Sequence, residues 1–500
     1  MILKVDGDIN RYYVQTLSMI YFPGASFPDD ELPGPGIPEL DVKLVQTDNG
    51  FCADAKVTLD GKCATAVKAR QLSDSFDADR CRKLVVGEAV TSALGELMEY
   101  KPSWGLLMGV RPSKVATELI KSGMSKTRTK RTLISEYLIF PKKAELATDV
   151  AINEHRIIGT PGIADCSLYI SIPFCPSRCA YCSFVSYTSK KLLSLIPDYV
   201  DRLDKDIRRV IKEAKALGLH FKTVYFGGGT PTVLEPDQIV RLLSAVREEL
   251  GDSGIEEFTF ESGRPDTFTS EKMKALRDYG IDRISVNPQT LCTDVLEGIG
   301  RSHTVEDFYR AFGMAREAGI KSINTDIIAG LPGDDFTKFS KSVDGIIALR
   351  PENVTVHTFC IKRSSQFKQE GNFYSMRGGD AGKCVDYSQI RLQSSGYIPY
   401  YMYRQKNTVG NFENVGFALP GEEGRYNIYM MEEVHSVLAV GAGAVTKFVH
   451  LAQNNGDKPV IKRYFNPKYP FEYLREENCD ELISSMKDFY GSYPANNAND

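Results

Sequence analysis

From Leu168 onward the chain falls into a rhythm. Short apolar runs at 168–172, 223–226, 257–261, 283–287, 322–328 and 353–357 alternate with helical stretches at about 192–217, 236–250, 270–279, 304–318 and 335–349. Apolar runs of this length, bounded by turn residues, read as buried strands. Six strand–helix alternations at this spacing imply parallel strands joined by right-handed crossovers. Six units, where a closed barrel has eight, predict an α/β fold built on a partial (β/α)6 barrel. Its open side would admit a large substrate.

In such folds chemistry collects in the loops after strands. Pro173 ends the first strand, and the loop beyond it holds Cys175, Cys179 and Cys182 in a C-x3-C-x2-C spacing. Three thiolates on one short loop can converge on a soft centre: zinc, copper(I) or an iron–sulfur cluster. Structural zinc takes four ligands, usually in two pairs. After Cys182 no Cys or His occurs before His220, and the nearest upstream Cys is Cys166. Three thiolates suit three corners of a four-iron cube and leave the fourth iron open to a small chelating ligand. Packed structural cysteines, or zinc, are the alternatives.

The later strands also end in residues with chemistry. Phe226 leads into Gly227-Gly228-Gly229-Thr230-Pro231. This turn lacks the Lys-Ser/Thr of a phosphate loop, so it reads as a close approach of backbone to ligand, or as a plain turn. The third strand ends in Glu261, whose carboxylate needs a partner; Arg264 and Arg283 are within reach in sequence. The fourth strand runs into Gln289 and then Gly300-Arg301-Ser302-His303-Thr304. An Arg there can grip a carboxylate in two places, and His303 sits where a helix cap belongs. The fifth strand carries Asn324 and Asp326, with strand-end polarity as the bland reading of the Asp. The sixth leads through His357 to Cys360.

The 500 residues, 42% apolar and 25% charged with a net charge of −4, are ordinary for a globular chain. That charge argues against a general nucleic-acid binder. No apolar run approaches a membrane span, and no signal-peptide pattern opens the chain. Eleven cysteines without an export signal fit a reduced, cytoplasmic setting. Three regions are expected: an N-terminal α+β domain over 1–160, the barrel over 161–375, and a C-terminal region over 376–500. The first opens with a strand at 1–5 and a helix at 10–21. A meander of runs at 42–46, 51–59 and 63–70 follows, broken at Asn49-Gly50 and Asp60-Gly61. A long helix over 79–100 and further helices from Ser113 to about His155 complete it. Its Cys52, Cys63 and Cys81 are widely spaced and read as packed rather than ligating. The basic run Lys126–Arg131 is a solvated helix face, or a docking patch for an acidic partner. From about Asn478 the chain is polar and reads as a frayed tail.

The segment Tyr169 to Phe184, Y-I-S-I-P-F-C-P-S-R-C-A-Y-C-S-F, resembles the radical S-adenosylmethionine (SAM) superfamily. Within it, the motifs over roughly 165–450 resemble the oxygen-independent coproporphyrinogen III oxidase family, in its dehydrogenase branch with an extra N-terminal region. The resemblance implies a 4Fe-4S cluster on Cys175, Cys179 and Cys182, with SAM on the open iron. It places Gly228, Gly229 and Thr230 by the methionine amino group of SAM. It puts Tyr169, Tyr181, Glu261, Gln289, Arg301 and Asp326 on or beside the cofactor, and Cys360 at a small backbone contact. Tyr169 joins the three cysteines in the catalytic set.

The activity implied is oxidative decarboxylation of two propionates of coproporphyrinogen III to vinyl groups, giving protoporphyrinogen IX in anaerobic heme synthesis. A radical formed from SAM would start it, and an electron donor such as flavodoxin or ferredoxin would feed the cluster. In the C-terminal region Tyr400, Tyr401, Tyr403, Arg404 and Lys406 combine flat rings with positive charge. They would suit a tetrapyrrole with propionate arms, or form an edge strand packed on the barrel. Arg264 and Arg363 are further cations for those arms. Two positions depart from the family. Phe184 stands where the studied oxidases carry a further Cys, and Ser171 where a His is frequent. A heme chaperone or an anaerobic heme-opening methyltransferase on the same scaffold are the rival readings.

Overall fold

The computed structural model describes residues 1–72, 77–109, 111–182, 186–251, 254–360, 379–405, 408–451, 459–475 and 477–495. The chain divides into two compact units, one of 1–152 with 402–407 and one of 153–401 with 408–500.

The first unit carries a four-stranded sheet. β1 (Ile2–Asp6) pairs in parallel with β2 (Glu39–Thr47), which continues antiparallel into β3 (Gly50–Leu59) and β4 (Lys62–Gln71). Asp60 and Gly61 both take positive φ, the conformation a tight hairpin turn demands. Gly50 serves differently: it already belongs to β3, and a side chain there would strike the Arg70 carbonyl. The helix Ala78–Met98, started by the Asp77 side chain, covers β3 and β4. Val85, Ala89, Ala93 and Leu94 on it pack against Ala53, Ala55 and Val57 in a continuous core. Half of the basic run is paired locally: Lys126 meets Asp149 at 2.6 Å and Lys130 meets Glu145 at 2.9 Å.

The second unit is organised by six parallel strands in sequence order: β5 (Asp165–Ile172), β6 (His220–Gly228), β7 (Glu257–Gly263), β8 (Arg283–Val286), β9 (Ser322–Ala329) and β10 (Asn353–Thr358). This is the partial (β/α)6 barrel. Successive side chains alternate between faces. Leu168, Ile170, Val224, Phe226, Phe258, Phe260, Ile284, Ile323, Val354 and Val356 are buried on one face. The other face carries Tyr169, Tyr225, Glu261, Asn324, Asp326, Thr355 and His357.

Residues 376–500 do not stand apart from this sheet. They supply β11 (Ile398–Tyr403), β12 (Asn414–Ala418), β13 (Ser436–Val440), β14 (Val445–His450) and β15 (Val460–Phe465). The sheet has eleven strands in the order β11-β12-β10-β9-β8-β7-β6-β5-β13-β14-β15. β12 runs antiparallel to β10, and β13 runs parallel to β5. The expectation of a frayed tail is overturned: Glu477–Ser492 is a helix. Its Leu482, Ile483, Met486, Phe489 and Tyr490 fall at helical spacing and are buried, an apolar stripe masked in sequence by the polar residues between them.

Candidate functional site

The cysteine loop is tied down at both ends. Proline has no N–H to continue the ladder past Ile172. Cys175 N donates to Tyr187 O (3.1 Å) and Tyr187 N to Pro173 O (2.8 Å), closing the loop on itself. The glycine turn after β6 fastens to the same segment, with Gly229 N on Ile172 O and Thr230 N on Phe174 O, both 2.8 Å. Gly228 has φ +109°, which suits only glycine, and a Cβ on Gly229 would lie 2.5 Å from Phe174 O. Cys175 and Cys179 are buried and Cys182 is half-buried. Cys175 Sγ sits 3.2 Å from Thr230 Oγ1. Burial pushes the Cys175 thiol up, and the Thr230 hydroxyl opposes it.

Arg264 is buried beneath this loop. It donates to Ser177 O (3.0 Å), Ser177 Oγ (2.9 Å) and Ser302 Oγ (3.2 Å), lies 3.9 Å from Cys179 Sγ, and is held by Asp266 through two contacts of 3.0 and 2.8 Å. It is therefore committed to the loop, neither paired with Glu261 nor offered to a propionate. Sequence reading missed this role, because only the fold brings residue 264 under residue 177.

Among the described residues Glu261 has no Arg partner: Arg283 pairs with Glu257 at 3.5 Å. Burial, and then the charge of Asp326, push Glu261 up to about 8, although the Gly228 amide and the Tyr225 hydroxyl favour its anion. Asp326 behaves oppositely. Burial works against its charge, yet His357, then Asn324 and Thr355, hold it below the usual carboxylate value. Asn287 Nδ2 donates to it at 2.8 Å and Asn324 Nδ2 at 2.7 Å. Gln289 has φ +70°, costly for a side-chain-bearing residue. Its backbone is latched to β9 by Gln289 N to Asp326 O (3.1 Å) and Ile328 N to Gln289 O (2.9 Å).

Arg301 donates through Nε (3.2 Å) and Nη2 (3.1 Å) to the hydroxyl of Tyr181 in the cysteine loop. Its Nη1 is buried without a partner among the described residues. Burial opposes its charge, but Tyr181, Cys179 and Asp266 raise its pKa further. An unmatched guanidinium N–H here is ready for an anionic ligand group. Beside it, burial and Arg301 push His303 down to about 4, so it stays neutral. Thr304, the next residue, caps the following helix. Cys360 is buried just beyond β10 and bridges to Thr408.

Tyr169 stacks with Tyr225 (6.0 Å) and with Tyr426 (6.2 Å), and those two lie 4.4 Å apart. Tyr225 and Tyr426 were not expected. Tyr225 was legible, since it shares the face of Gly227 two residues on. Tyr426 was not, because it arrives from the helix Arg425–Glu432. That helix is seated by Glu257, whose carboxylate accepts Arg425 N (2.7 Å) and Tyr426 N (3.2 Å).

The remaining expectations fare differently. Tyr400 and Tyr401 are buried, and Tyr401 packs on Gly416 of β12, so the strand packs and does not offer them as a substrate surface. Arg404 is buried in the first unit, donating to the carbonyls of Leu107 and Gly109 and lying over the Trp104 ring. It is not a free cation for a propionate. Phe184, Arg363 and Lys406 lie outside the described residues.

The donor set fits the cofactors that the spacing suggested. Among the described residues no three potential ligands close on a single ion position. A cubic cluster asks each thiolate for a different iron, so sulfurs spread along one loop suit it. The glycine turn, Glu261, Gln289, Arg301 and Asp326 are polar groups that the strand ends and their following loops carry.

Residues 169–344 match the radical SAM superfamily. The chain is 36% identical over 395 residues to the oxygen-independent coproporphyrinogen-III oxidase-like protein HemZ of Bacillus subtilis, covering 77% of each. It belongs to that family. Radical SAM proteins of this family use a 4Fe-4S cluster and SAM. The heme chaperone HemW of Bacillus subtilis is 29% identical over 322 residues, covering 63% of this chain and 80% of HemW. The solved coproporphyrinogen III oxidase of Escherichia coli, a radical SAM enzyme, aligns over 67% of this chain and 73% of its own with a TM-score of 0.49 and 22% identity. No helix among the described residues is long and apolar enough to cross a membrane.

Proposed function

We propose that this coproporphyrinogen oxidase-like protein oxidatively decarboxylates propionate arms of coproporphyrinogen III, forming protoporphyrinogen IX. The observation that carries the reading is the extent of likeness to the oxidase-like relative: 395 residues, against 322 for the chaperone. Cys175, Cys179 and Cys182 ligate the cluster in this reading. When bound, cluster and SAM supply one-electron cleavage of SAM and removal of a hydrogen atom from an unactivated carbon.

The chain's own part is orientation and charge. Arg264 fixes the loop that bears Cys179, and Thr230 steadies Cys175. The free Nη1 of Arg301 takes an anionic group of SAM. Gly228 and Gly229 let backbone groups approach its amine, and Asp326, kept ionised, offers it a negative partner. Glu261 accepts protonation more readily than a surface carboxylate does, so a cationic ligand beside it would release a proton on binding.

The deciding experiment is anaerobic turnover of reconstituted protein with coproporphyrinogen III, SAM and a reductant. Matched yields of 5′-deoxyadenosine, carbon dioxide and a vinyl-bearing product are expected. Deoxyadenosine without carbon dioxide, together with tight heme binding, would turn the assignment to the chaperone. Methylated or ring-opened heme would turn it to a methyltransferase.

A further inference from the structure

One electron is consumed for each SAM cleaved, and transfer slows steeply with distance. A protein donor must therefore dock beside the cysteine loop. That loop returns to the surface at Tyr187, whose carbonyl accepts Cys175 N. The Tyr187 hydroxyl donates to Lys468 O (3.0 Å), and its ring meets Tyr469 at 5.7 Å. Tyr469 stacks on Phe471 at 5.4 Å. Tyr469 is 41% and Phe471 51% exposed. Two stacked, solvent-facing aromatic rings are characteristic of contact surfaces.

The segment that presents them is anchored from beneath. Tyr473 is fully buried, with its hydroxyl 2.5 Å from Asp206 Oδ2 and its ring 5.4 Å from Tyr199. Tyr199 meets Phe174, the residue before Cys175, edge-on at 5.1 Å. Packed aromatic contacts thus lead from the patch to the cysteine loop along two routes, through Tyr187 and through Tyr199.

Three lysines flank these aromatic residues in sequence. Lys468 Nζ stands 5.9 Å over the Tyr469 ring. Lys190 and Lys191 follow Tyr187 at the start of the short helix Lys190–Leu193 and are exposed. None of these three lysines has an ion-pair partner among the described residues. Glu472 contributes one opposing charge near Tyr187.

We propose that Tyr469, Phe471, Lys190, Lys191 and Lys468 form the dock for a small acidic one-electron carrier protein. This rests on the reading that the cysteine loop holds the cluster. One electron passes from the reduced carrier to the oxidised cluster; the carrier is oxidised as the cluster is reduced. The basic, aromatic surface suits a brief, electrostatically steered encounter of the kind redox partners make, burying under about 1,200 Å².

The test uses reconstituted full-length protein mixed with reduced flavodoxin, followed by cluster bleaching, with dithionite as the parallel reductant. The variant Lys190→Glu/Lys191→Glu/Lys468→Glu is expected to slow flavodoxin-driven reduction about tenfold or more at low salt and to remove its decline with added salt. Phe471→Ser is expected to slow it about threefold at any salt, because rim charge sets the encounter and the ring sets the fit. Dithionite-driven reduction and SAM cleavage stay at wild-type rates in both. Flavodoxin rates within about twofold of wild type in both variants, with unchanged salt dependence, would overturn the dock. A wild-type protein that dithionite cannot reduce would instead overturn the cluster reading beneath it.

Discussion

The two ends of β7 carry the same residue type in opposite conditions. Glu257 is fully engaged: it accepts two backbone amides of the helix Arg425–Glu432, accepts the Thr259 hydroxyl at 3.2 Å, and faces Arg283. Glu261, two pleat repeats away toward the other end, faces a second carboxylate and has no cation among the described residues. The first closes the sheet onto the helix Arg425–Glu432. The second is held in reserve at the end where the cysteine loop and glycine turn meet. The contrast separates a carboxylate committed to structure from one left without a cationic partner among the described residues, and substitutions along this axis should separate stability from binding.

The largest effect belongs to the thiols. Replacing Cys175, Cys179 or Cys182 singly with Ala should abolish the visible absorption of the reconstituted cluster and all SAM cleavage. Cys166→Ala, a buried change on β5, should leave both in place. Full iron content in all three loop variants would break the assignment of this end as the reactive one.

Next comes the structural end. Glu257→Ala strands Arg283 and the helix amides, a loss of about 3–5 kcal/mol for a broken buried pair. Denaturant unfolding should show it, while Glu261→Gln should cost far less. Equal losses would erase the distinction between the two glutamates.

Arg301→Ala should weaken SAM binding about ten- to hundredfold, the worth of one charge-assisted hydrogen bond of about 1.5–3 kcal/mol. Iron content should be unchanged. An unaltered SAM affinity would place the anionic end of the ligand elsewhere.

The smallest effect is on pH dependence. Glu261 is an acid raised from an ordinary 4.5 to about 8. Between those values the folded chain holds a proton that the unfolded chain has released. Its contribution to stability is full below about pH 4.5 and is lost as pH rises toward 8. Unfolding midpoints of SAM-free protein should fall across that window more steeply for wild type than for Glu261→Gln. Parallel slopes would show that Glu261 is ordinarily solvated.

Much of this axis was legible in advance, and the reason is periodicity. The parallel strands announce themselves as apolar runs, and their ends follow directly; the resemblance to the radical SAM family then singled out Cys175, Gly228, Glu261, Arg301 and Asp326 at or after those ends. What escaped depends on long-range meetings. Arg264 looked like a partner for Glu261 because they are close in sequence, whereas the fold sends its guanidinium under Ser177. Arg404 looked available because tyrosines surround it, whereas three groups at 104–109 engage it. The last helix was hidden because its apolar stripe is diluted by polar residues that face outward.

The placement of β13 has a consequence in time. β5, the strand that launches the cysteine loop, takes β13 as its second neighbour, with Leu168 opposite Leu438. During synthesis every other neighbour of the barrel strands emerges soon after its partner, but this one comes hundreds of residues later. Until then β5 is an open edge, available to mispairing. Closure of so long a loop is slow. Iron loaded onto the nascent loop would meet a strand still lacking half of its ladder. The strand that launches the cysteine loop is thus complete only after β13 has joined the sheet.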